Sequence, residues 1–322
     1  MAHNIEGNYY FGVGKPAWHG IGIPLQDAPT PREAWERAYP HHLFKMGVAW
    51  KDTDSETGAP VYGDAEGFSA IVRDDGKVLG VHSNRYELVQ PADVFDRYAP
   101  LIESGLVTLE TGGSLNGGKR MWALAKVTGA DADVLPGDTI RGYVLFQESF
   151  DGSLCSGGGL TNIRVVCANT LAMAQRDINL RCKHTRGVHD RLNAYRDEIK
   201  KVLHSFQETK EIMQSLARRQ VTRHAQEVYI REVIAGPNAL SPDSELSART
   251  ENKVERVIEL LDTQRGLELV PAMRGTAWQA YNAITEYITH EHGRSADTRL
   301  GNQWFGPGVQ VNRNALELAT RL

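Results

Sequence analysis

The spacing of apolar residues changes once along this chain, close to Cys167. Before that residue, short apolar runs alternate with polar residues and are separated by turn sequences, a period of two that predicts β-strands. After Gly187, apolar residues recur every three or four positions, which is the period of an amphipathic helix. We therefore predict an α+β fold, in which an antiparallel β-sheet with packed helices is followed by a mostly helical C-terminal region.

This pattern divides the chain into three segments. We predict an N-terminal arm at 1–43, where prolines and glycines interrupt the sequence, an α+β core domain at 44–186 and a helical C-terminal region at 187–322. The 322 residues have room for one large domain or two ordinary ones. Within the core domain, Asn116-Gly117-Gly118 is a strong turn signal and predicts a hairpin between two strands.

The stretch 139–186 contains the strongest candidate for an anion site. A predicted strand leads to three consecutive glycines, and the apolar run Ile163–Cys167 ends just before Asn169 and Thr170, which we expect to cap a helix. The unpaired N–H groups of such a helix start would suit a phosphate, and Arg164 would add a bidentate contact. Capping alone also explains Asn169 and Thr170, so both interpretations stay open.

The segment 176–223 carries an excess of positive charge. It contains twelve Lys and Arg residues against six Asp and Glu residues, a difference of +6, although the whole chain has a formal net charge of −4. This separation favours a surface for an acidic partner such as DNA, but a solvated helix face with interleaved ion pairs would have the same composition. At the predicted hairpin, Lys119 and Arg120 add two cations close to Trp122, and a charged, aggregation-resistant hairpin end would also explain them.

Motifs for nucleotide hydrolysis and for structural metal sites are absent from the sequence. No GxxxxGK[ST] string is present, and Cys182, His184 and His189 lack the paired spacing of zinc ligands. We therefore expect neither a metal nor a cofactor. Cys167 would be an activated nucleophile if it were exposed at a helix start with His184 or His189 as its base, but its apolar surroundings favour a buried thiol. We assign no catalytic residue.

The composition fits a soluble globular protein, with 41% hydrophobic and 24% charged residues. No apolar run approaches the length of a membrane span, and the N-terminus lacks the pattern of a signal peptide. Three cysteines, an odd number, fit a reducing compartment. We expect a cytoplasmic protein with free thiols and no membrane contact.

Five strings resemble a family of phage- and plasmid-encoded proteins catalogued as a domain of unknown function, number 932. They are Ala17–Gly22, Arg85–Gln90, Gly113–Leu124, Arg164–Leu171 and Thr276–Ala283. The resemblance spans most of the chain and implies a mobile-element protein in a bacterial host cell, without established catalytic residues. The predicted hairpin, strands and helix also broadly resemble the core of phage single-strand annealing proteins, a likeness of fold that does not fix function.

From these features we expect a phage protein that binds single-stranded DNA and takes part in annealing or recombination. The residues assigned to phosphate and base contacts are Lys119, Arg120, Trp122, Arg164, Asn169, Thr170, Arg176, Arg181, Lys183 and Arg186. Trp122 would stack on a base, and a homo-oligomer is expected because annealing needs a long strand track. Two alternatives stay open: a non-enzymatic protein that binds a host or phage partner, and an enzyme that acts on a nucleotide-like substrate.

Overall fold

The computed structural model describes residues 5–14, 23–164, 169–171, 180–198, 202–241, 245–293, 299 and 306–322. They form a large, mostly antiparallel sheet, a smaller antiparallel sheet and a set of helices concentrated after residue 187. The predicted α+β fold with a mostly helical C-terminal region is therefore confirmed. The proposed division into an arm and two domains stays a prediction.

Eleven strands are present in the described part of the chain. They are β1 Ile5–Val13, β2 Ile23–Leu25, β3 Leu43–Thr53, β4 Pro60–Arg73, β5 Val78–Ser83, β6 Val107–Leu115, β7 Arg120–Leu135, β8 Asp138–Ser149, β9 Ser156–Arg164, β10 Asn169–Leu171 and β11 Leu180–Cys182. The large sheet has the order β10-β9-β8-β7-β6-β1-β2, with β11 also paired to β9, and the small sheet has the order β3-β4-β5. Only the β1–β2 pair is parallel among these strands.

Along the chain, helices occur between β2 and β3, between β5 and β6, and after β11. They are α1 Pro31–Ala38, α2 Pro91–Asp96, α3 Ala99–Glu103, α4 Val188–Glu198, α5 Val202–Arg218, α6 Arg223–Ala235, α7 Ala248–Thr263, α8 Ala277–Glu286 and α9 Pro307–Ala319. Hydroxyl side chains cap several of these helices, because the oxygens of Thr222, Ser247 and Thr276 accept backbone N–H groups of the first turns of α6, α7 and α8. No described helix is both long enough and apolar enough to cross a membrane.

The predicted hairpin is formed by β6 and β7. Asn116, Gly117 and Gly118 connect the two strands, and all three have positive φ angles, of 56°, 66° and 81°. Glycine and asparagine adopt this left-handed region at the lowest cost, which is why the turn signal was reliable.

Side chains from the sheet and from the C-terminal helices share the largest apolar cluster. Trp278 of α8 is fully buried, and its indole Nε1 donates a hydrogen bond of 2.7 Å to Oδ2 of Asp138 at the start of β8. Because Asp138 is also fully buried, this bond satisfies polar groups that water cannot reach. The helices that follow the sheet are therefore anchored to it.

The stretch 139–186 differs from its prediction at the expected helix start. The three consecutive glycines lie inside β9, where a Cβ on Gly158 would come within 2.9 Å of the Leu145 carbonyl oxygen and 2.7 Å of the Phe146 ring. Asn169 and Thr170 do not begin a helix but pair with β9 in β10. Pairing with a neighbouring strand has overridden the local capping preference.

The N-terminal segment is more ordered than its sequence suggests. Strand β1 pairs with β6 inside the large sheet, and Phe11 is fully buried there. Glycine and asparagine interrupt the apolar pattern of β1, so periodicity alone did not reveal the strand. Among the described residues, every named strand ends before Gly187, as the change of period predicted.

Candidate functional site

A pocket of about 480 Å³ opens where the end of β5, the turn after β8 and strand β11 meet. We call it the His184 pocket. Three cationic side chains line it, Arg85, Arg181 and Lys183, together with the imidazoles of His82 and His184. None of its lining residues is an aspartate or a glutamate. Its volume is within the range of pockets that bind small ligands.

His184 is held from both of its ring nitrogens. Nε2 lies 2.8 Å from Oε1 of Glu148, and Nδ1 lies 3.1 Å from the carbonyl oxygen of Glu87. The Glu87 backbone N–H in turn donates to the His184 carbonyl oxygen at 3.0 Å. Each ring nitrogen thus has an oxygen atom as its partner, and one of these oxygens belongs to the Glu148 carboxylate. The imidazole is therefore fixed in position at the base of the pocket.

Glu148 is the buried acceptor beneath the pocket. Its carboxylate also accepts hydrogen bonds from the Ser149 backbone N–H, at 3.0 Å, and from the Ser156 hydroxyl. Arg97 lies near it and is only 5% exposed, and its two terminal nitrogens have no hydrogen-bond partner among the described residues. Burial lowers the pKa of Arg97, and the charge of Glu148 opposes that shift. Hydrogen-bond donors and the Arg97 guanidinium therefore lie around this carboxylate.

Three aromatic rings stack along one wall of the pocket. The Tyr86 ring lies between His82, at a centroid distance of 4.1 Å, and His184, at 4.5 Å, with interplanar angles of 19° and 11°. The Tyr86 hydroxyl donates to the Ser149 carbonyl oxygen at 3.2 Å. Burial raises the pKa of Tyr86, and the charges of Glu148 and Asp151 raise it further, so the phenol stays neutral. The stack gives the pocket a rigid wall.

The loop before α4 carries Lys183 and His184, and Arg191 of that helix holds the loop in place. Arg191 Nη1 donates to the Arg186 carbonyl oxygen at 3.0 Å, and Nη2 donates to the carbonyl oxygens of Lys183, at 3.2 Å, and Thr185, at 3.3 Å. Arg191 thus donates to backbone carbonyl oxygens, and within the described ranges it forms no ion pair with a carboxylate. The side chains of the loop are therefore left to face the pocket.

The turn after β8 forms another part of the pocket wall. Asp151 Oδ1 accepts hydrogen bonds from the Ser153 backbone N–H, at 2.9 Å, and from the Ser149 hydroxyl, at 2.7 Å. Burial raises the pKa of Asp151, but the hydrogen bonds from Ser153 and Ser149 outweigh burial and lower it overall. Arg120 Nε donates to the Ser153 hydroxyl oxygen at 2.9 Å. Arg120 is therefore bonded to a residue of the pocket wall.

Cations elsewhere in the described part of the chain are often neutralised by carboxylates. Arg231 pairs with a glutamate of α7, and Arg256 pairs with two glutamates. Arg85, Arg181 and Lys183 have no ion-pair partner among the described residues. The three cations of the pocket lining are therefore not neutralised by a carboxylate of the described residues, which favours an anionic ligand.

The structure places several of the predicted binding residues at this site. Arg181 and Lys183 line the pocket, and Arg120 reaches its wall through Ser153. Lys119 precedes Arg120 at the hairpin end, and Arg186 is exposed on the loop that follows Lys183. The basic segment 176–223 and the hairpin end with Lys119 and Arg120 are far apart in sequence. In the structure, residues of both lie at or next to the same pocket.

Trp122 is not available to stack on a base. It is fully buried, and its ring lies 5.6 Å from that of Tyr10 in a second apolar cluster. Strand β7 is covered on both faces here, since every residue from Met121 to Ala125 is buried, so its alternating pattern did not indicate an exposed face. The prediction for Trp122 is therefore wrong.

The remaining predicted residues are described only in part. Arg164, Asn169 and Thr170 belong to strands β9 and β10, but their side chains lie outside the described residues, as does the whole of Arg176. Cys167 also lies outside them. Their assignments as binding residues stay predictions.

Sequence reasoning missed most of the residues that build the pocket. His82, Arg85, Tyr86 and Glu148 were not assigned to any site, although Arg85 and Tyr86 lie in one of the strings that carry the family resemblance. One feature of the sequence could have indicated Glu148. It directly follows an apolar run that predicts a strand, and a charge buried there would be costly without a partner.

The thiols and imidazoles of the described residues form no evident metal site. No group of three or more His, Cys, Asp or Glu side chains in these ranges is placed to hold a metal ion. Cys155 is a partly buried free thiol that lines the pocket, and Cys182 is a buried free thiol.

Comparison with known proteins yields one match. A family model described as "Domain of unknown function (DUF932)" matches residues 78–311. No curated protein and no solved structure matches the chain. The matched range includes every residue that lines the His184 pocket.

Proposed function

Since the chain belongs to the family described as "Domain of unknown function (DUF932)", whose description gives no activity, we propose from its geometry that it binds single-stranded DNA at the His184 pocket. One observation carries this proposal: Arg85, Arg181 and Lys183 converge on a concave site that has no carboxylate in its lining. Unpaired cations in a recess concentrate phosphate groups and steer them inward.

Phosphate contacts supply most of the affinity in this proposal. Arginine offers a planar fork that matches two phosphate oxygens, and lysine adds a compact point charge. Arg85 and Arg181 are therefore suited to hold phosphates at the rim, with Lys183 beside them. Arg120 and Arg186 extend the positive surface away from the pocket, so that a chain of several nucleotides contacts more cations than a single nucleotide does.

A single strand fits this site better than a duplex does. In a duplex the bases are stacked and paired, so a nucleotide enters a pocket only after it has been flipped out, at a cost of a few kcal/mol. A single strand presents unstacked nucleotides without that cost. Gln147 and Thr185 in the lining offer amide and hydroxyl groups for the sugar and base.

Removal of two pocket cations should weaken the binding of all single strands. We expect Arg181→Ala/Lys183→Ala to make the slope of log K against log salt shallower by roughly one to two units, because each lost phosphate contact reduces counterion release. Fluorescence anisotropy of a labelled oligonucleotide of about 30 nucleotides, titrated at several salt concentrations, measures this slope. Both side chains are exposed, so the variant should fold normally.

The matched control removes the same charge from another surface. Arg249 and Lys253 lie on α7, away from the pocket lining, and Arg249→Ala/Lys253→Ala changes the net charge equally. This control should retain the wild-type slope. Equal weakening in both variants would show that only the overall charge matters. Absence of any wild-type binding to a long single strand at about 50 mM salt, where phosphate contacts are strong, would reject the proposal.

Competition separates a nucleic-acid ligand from a nucleotide-like substrate. A labelled single strand is displaced with unlabelled single strand, duplex of the same sequence, mononucleotide or inorganic phosphate. The proposal requires the unlabelled single strand to be the strongest competitor. Displacement by a mononucleotide at equal or lower concentration would favour the alternative of an enzyme that acts on a nucleotide.

Cys155 provides a second reporter because it lines the pocket, whereas Cys182 is buried. In the native protein we expect alkylation of Cys155 to be at least about tenfold faster than that of Cys182, since only an accessible thiolate reacts. Saturating single-stranded DNA should slow the labelling of Cys155 several-fold. Mass spectrometry of the labelled peptides over time measures both rates. An unchanged Cys155 rate in the presence of bound DNA would place the DNA elsewhere.

Annealing of complementary strands on a mobile element is the finer form of this proposal. It requires several copies of the protein along one strand, because each pocket accommodates only a short segment. Mixing two complementary labelled strands with the protein and following the rate of duplex formation tests this step. A rate equal to the spontaneous one would limit the function to binding.

A further inference from the structure

The small sheet exposes an apolar face that the described part of the chain leaves uncovered. Of the ten large hydrophobic side chains exposed in the described residues, eight belong to β3, β4 and β5. Five of them have exposed fractions of 53–55%: Phe44, Met46, Phe68, Val78 and Val81. Their concentration on three adjacent strands distinguishes them from scattered surface hydrophobics.

The strand register places these five side chains on one face. Met46 is paired with Ala70, which is paired with Val81, and paired residues point to the same side of a sheet. Phe44, Val72 and Val78 form a second such row. Phe68 is two residues before Ala70 and therefore shares its face. We call this surface the apolar outer face.

The opposite face of the same sheet packs into the protein. Leu43, Ile71 and Leu79 lie on it, and all three are buried in the main apolar cluster. The small sheet is therefore a layer with one covered side and one open side. Sheets of this kind normally bury their apolar side and expose the polar one.

The open area is a large part of what each partner buries in a standard interface. Five side chains that are each about half exposed present at most on the order of 500 Å² of apolar surface, because a whole aromatic side chain has about 150–250 Å² and methionine and valine are smaller. That is near the upper limit for a monomer, about 300–600 Å². It is also more than half of the roughly 800 Å² that each partner buries in a standard interface.

One edge of the small sheet is open as well. A Cβ on Gly80, which is paired with Ile71, would come within 2.8 Å of the Phe150 carbonyl oxygen and of the Asp151 backbone, so the main body of the protein covers the inner face at β5. Strand β3 forms an edge of the sheet and has eleven residues. No described strand pairs with that outer edge.

The charges around the face argue against a nucleic acid as its occupant. The far half of the β3–β4 hairpin carries the exposed carboxylates Asp52, Glu56 and Asp64, which would repel phosphates. The five side chains of the face are uncharged, so two copies meet there without like-charge repulsion. A flat apolar sheet face is complementary to itself when a two-fold axis relates the copies.

We propose that the apolar outer face binds the same face of a second copy of this chain, giving a two-fold dimer with packed sheets. This inference does not depend on DNA binding at the His184 pocket. Apolar contacts would hold this dimer together, so added salt should not weaken it. Added salt does weaken phosphate contacts, so the two kinds of binding can be told apart.

Sedimentation velocity over about 0.1–100 μM protein, a span that brackets micromolar affinity, tests this proposal. The wild type should shift with concentration from the 35.7 kDa monomer to twice that mass. Met46→Glu/Val81→Glu should raise the dissociation constant about a hundredfold or more, because it buries unpaired charges in the interface. The matched control is Leu240→Glu/Leu269→Glu. It changes two exposed hydrophobic residues outside the small sheet and should dimerise normally.

Circular dichroism establishes whether each variant is folded. If the glutamate variant unfolds, Met46→Thr/Val81→Thr replaces it, because threonine keeps a strand preference and removes most of the apolar contact. A wild type that stays monomeric at the highest concentration would overturn the proposal. So would a folded face variant that dimerises as strongly as the control, since the interface would then lie elsewhere.

Discussion

Replacing Glu148 with alanine should lower the free energy of unfolding by about 3–5 kcal/mol, the range measured when one partner of a buried ion pair is removed. The carboxylate is fully buried and accepts from the His184 ring, the Ser156 hydroxyl and the Ser149 backbone N–H. Its loss leaves these donors without that acceptor and removes the charge that most opposes the effect of burial on Arg97. Urea unfolding followed by circular dichroism measures the change.

Two further variants distinguish the loss of the buried Glu148–His184 pair from the loss of any carboxylate. Glu227→Ala removes a carboxylate from the surface pair with Arg223, in which both side chains are well exposed, and should cost under about 1 kcal/mol. Glu148→Leu/His184→Leu replaces both partners with apolar side chains and should recover part of the loss, because the cost of desolvating the pair then disappears. If Glu148→Ala costs no more than Glu227→Ala, the buried pair does not stabilise the fold.

The second large effect should come from Trp278→Ala. The truncation leaves a cavity in the main apolar cluster and removes one donor from Asp138, so we expect a loss of about 3–5 kcal/mol. Because Trp278 joins α8 to the start of β8, we expect the sheet and the C-terminal helices to lose stability together. The unfolding curves from tryptophan fluorescence and from circular dichroism should then coincide.

Trp50→Ala is the matched control for this substitution. Trp50 is 49% exposed on the β3–β4 hairpin, so its removal should cost about 1 kcal/mol or less. Both variants are compared at low protein concentration, where association does not contribute. Two separate transitions in Trp278→Ala, with only the later helices destabilised, would show that the sheet and the helical region are independent domains.

Local signals in the sequence predicted the features that depend on neighbouring residues. The turn at Asn116-Gly117-Gly118 follows from backbone preferences that act within a few positions. The change of apolar period near Cys167 gave the fold class for a similar reason, since periodicity reflects which side of each element is buried.

Long-range contacts explain what the sequence did not reveal. The His184 ring is held by Glu87, which lies 97 residues earlier in the chain, and no local pattern marks such a pair. Trp122 alternates with small residues as an exposed-face residue would, but the sheet is covered on both sides there. The cations Arg181 and Lys183 were found because charge excess is visible in composition, whereas their meeting with Arg85 depends on the fold.

Strand β5 places two adjacent residues on opposite faces of the small sheet. His82 faces the pocket and Val81 lies on the apolar outer face, so one rigid strand borders both surfaces. Ligand occupancy and self-association are then expected to be thermodynamically linked. By reciprocity, if dimerisation tightens DNA binding by some factor, bound DNA must tighten dimerisation by the same factor. A single strand of DNA coated with this protein would in that case recruit further copies cooperatively.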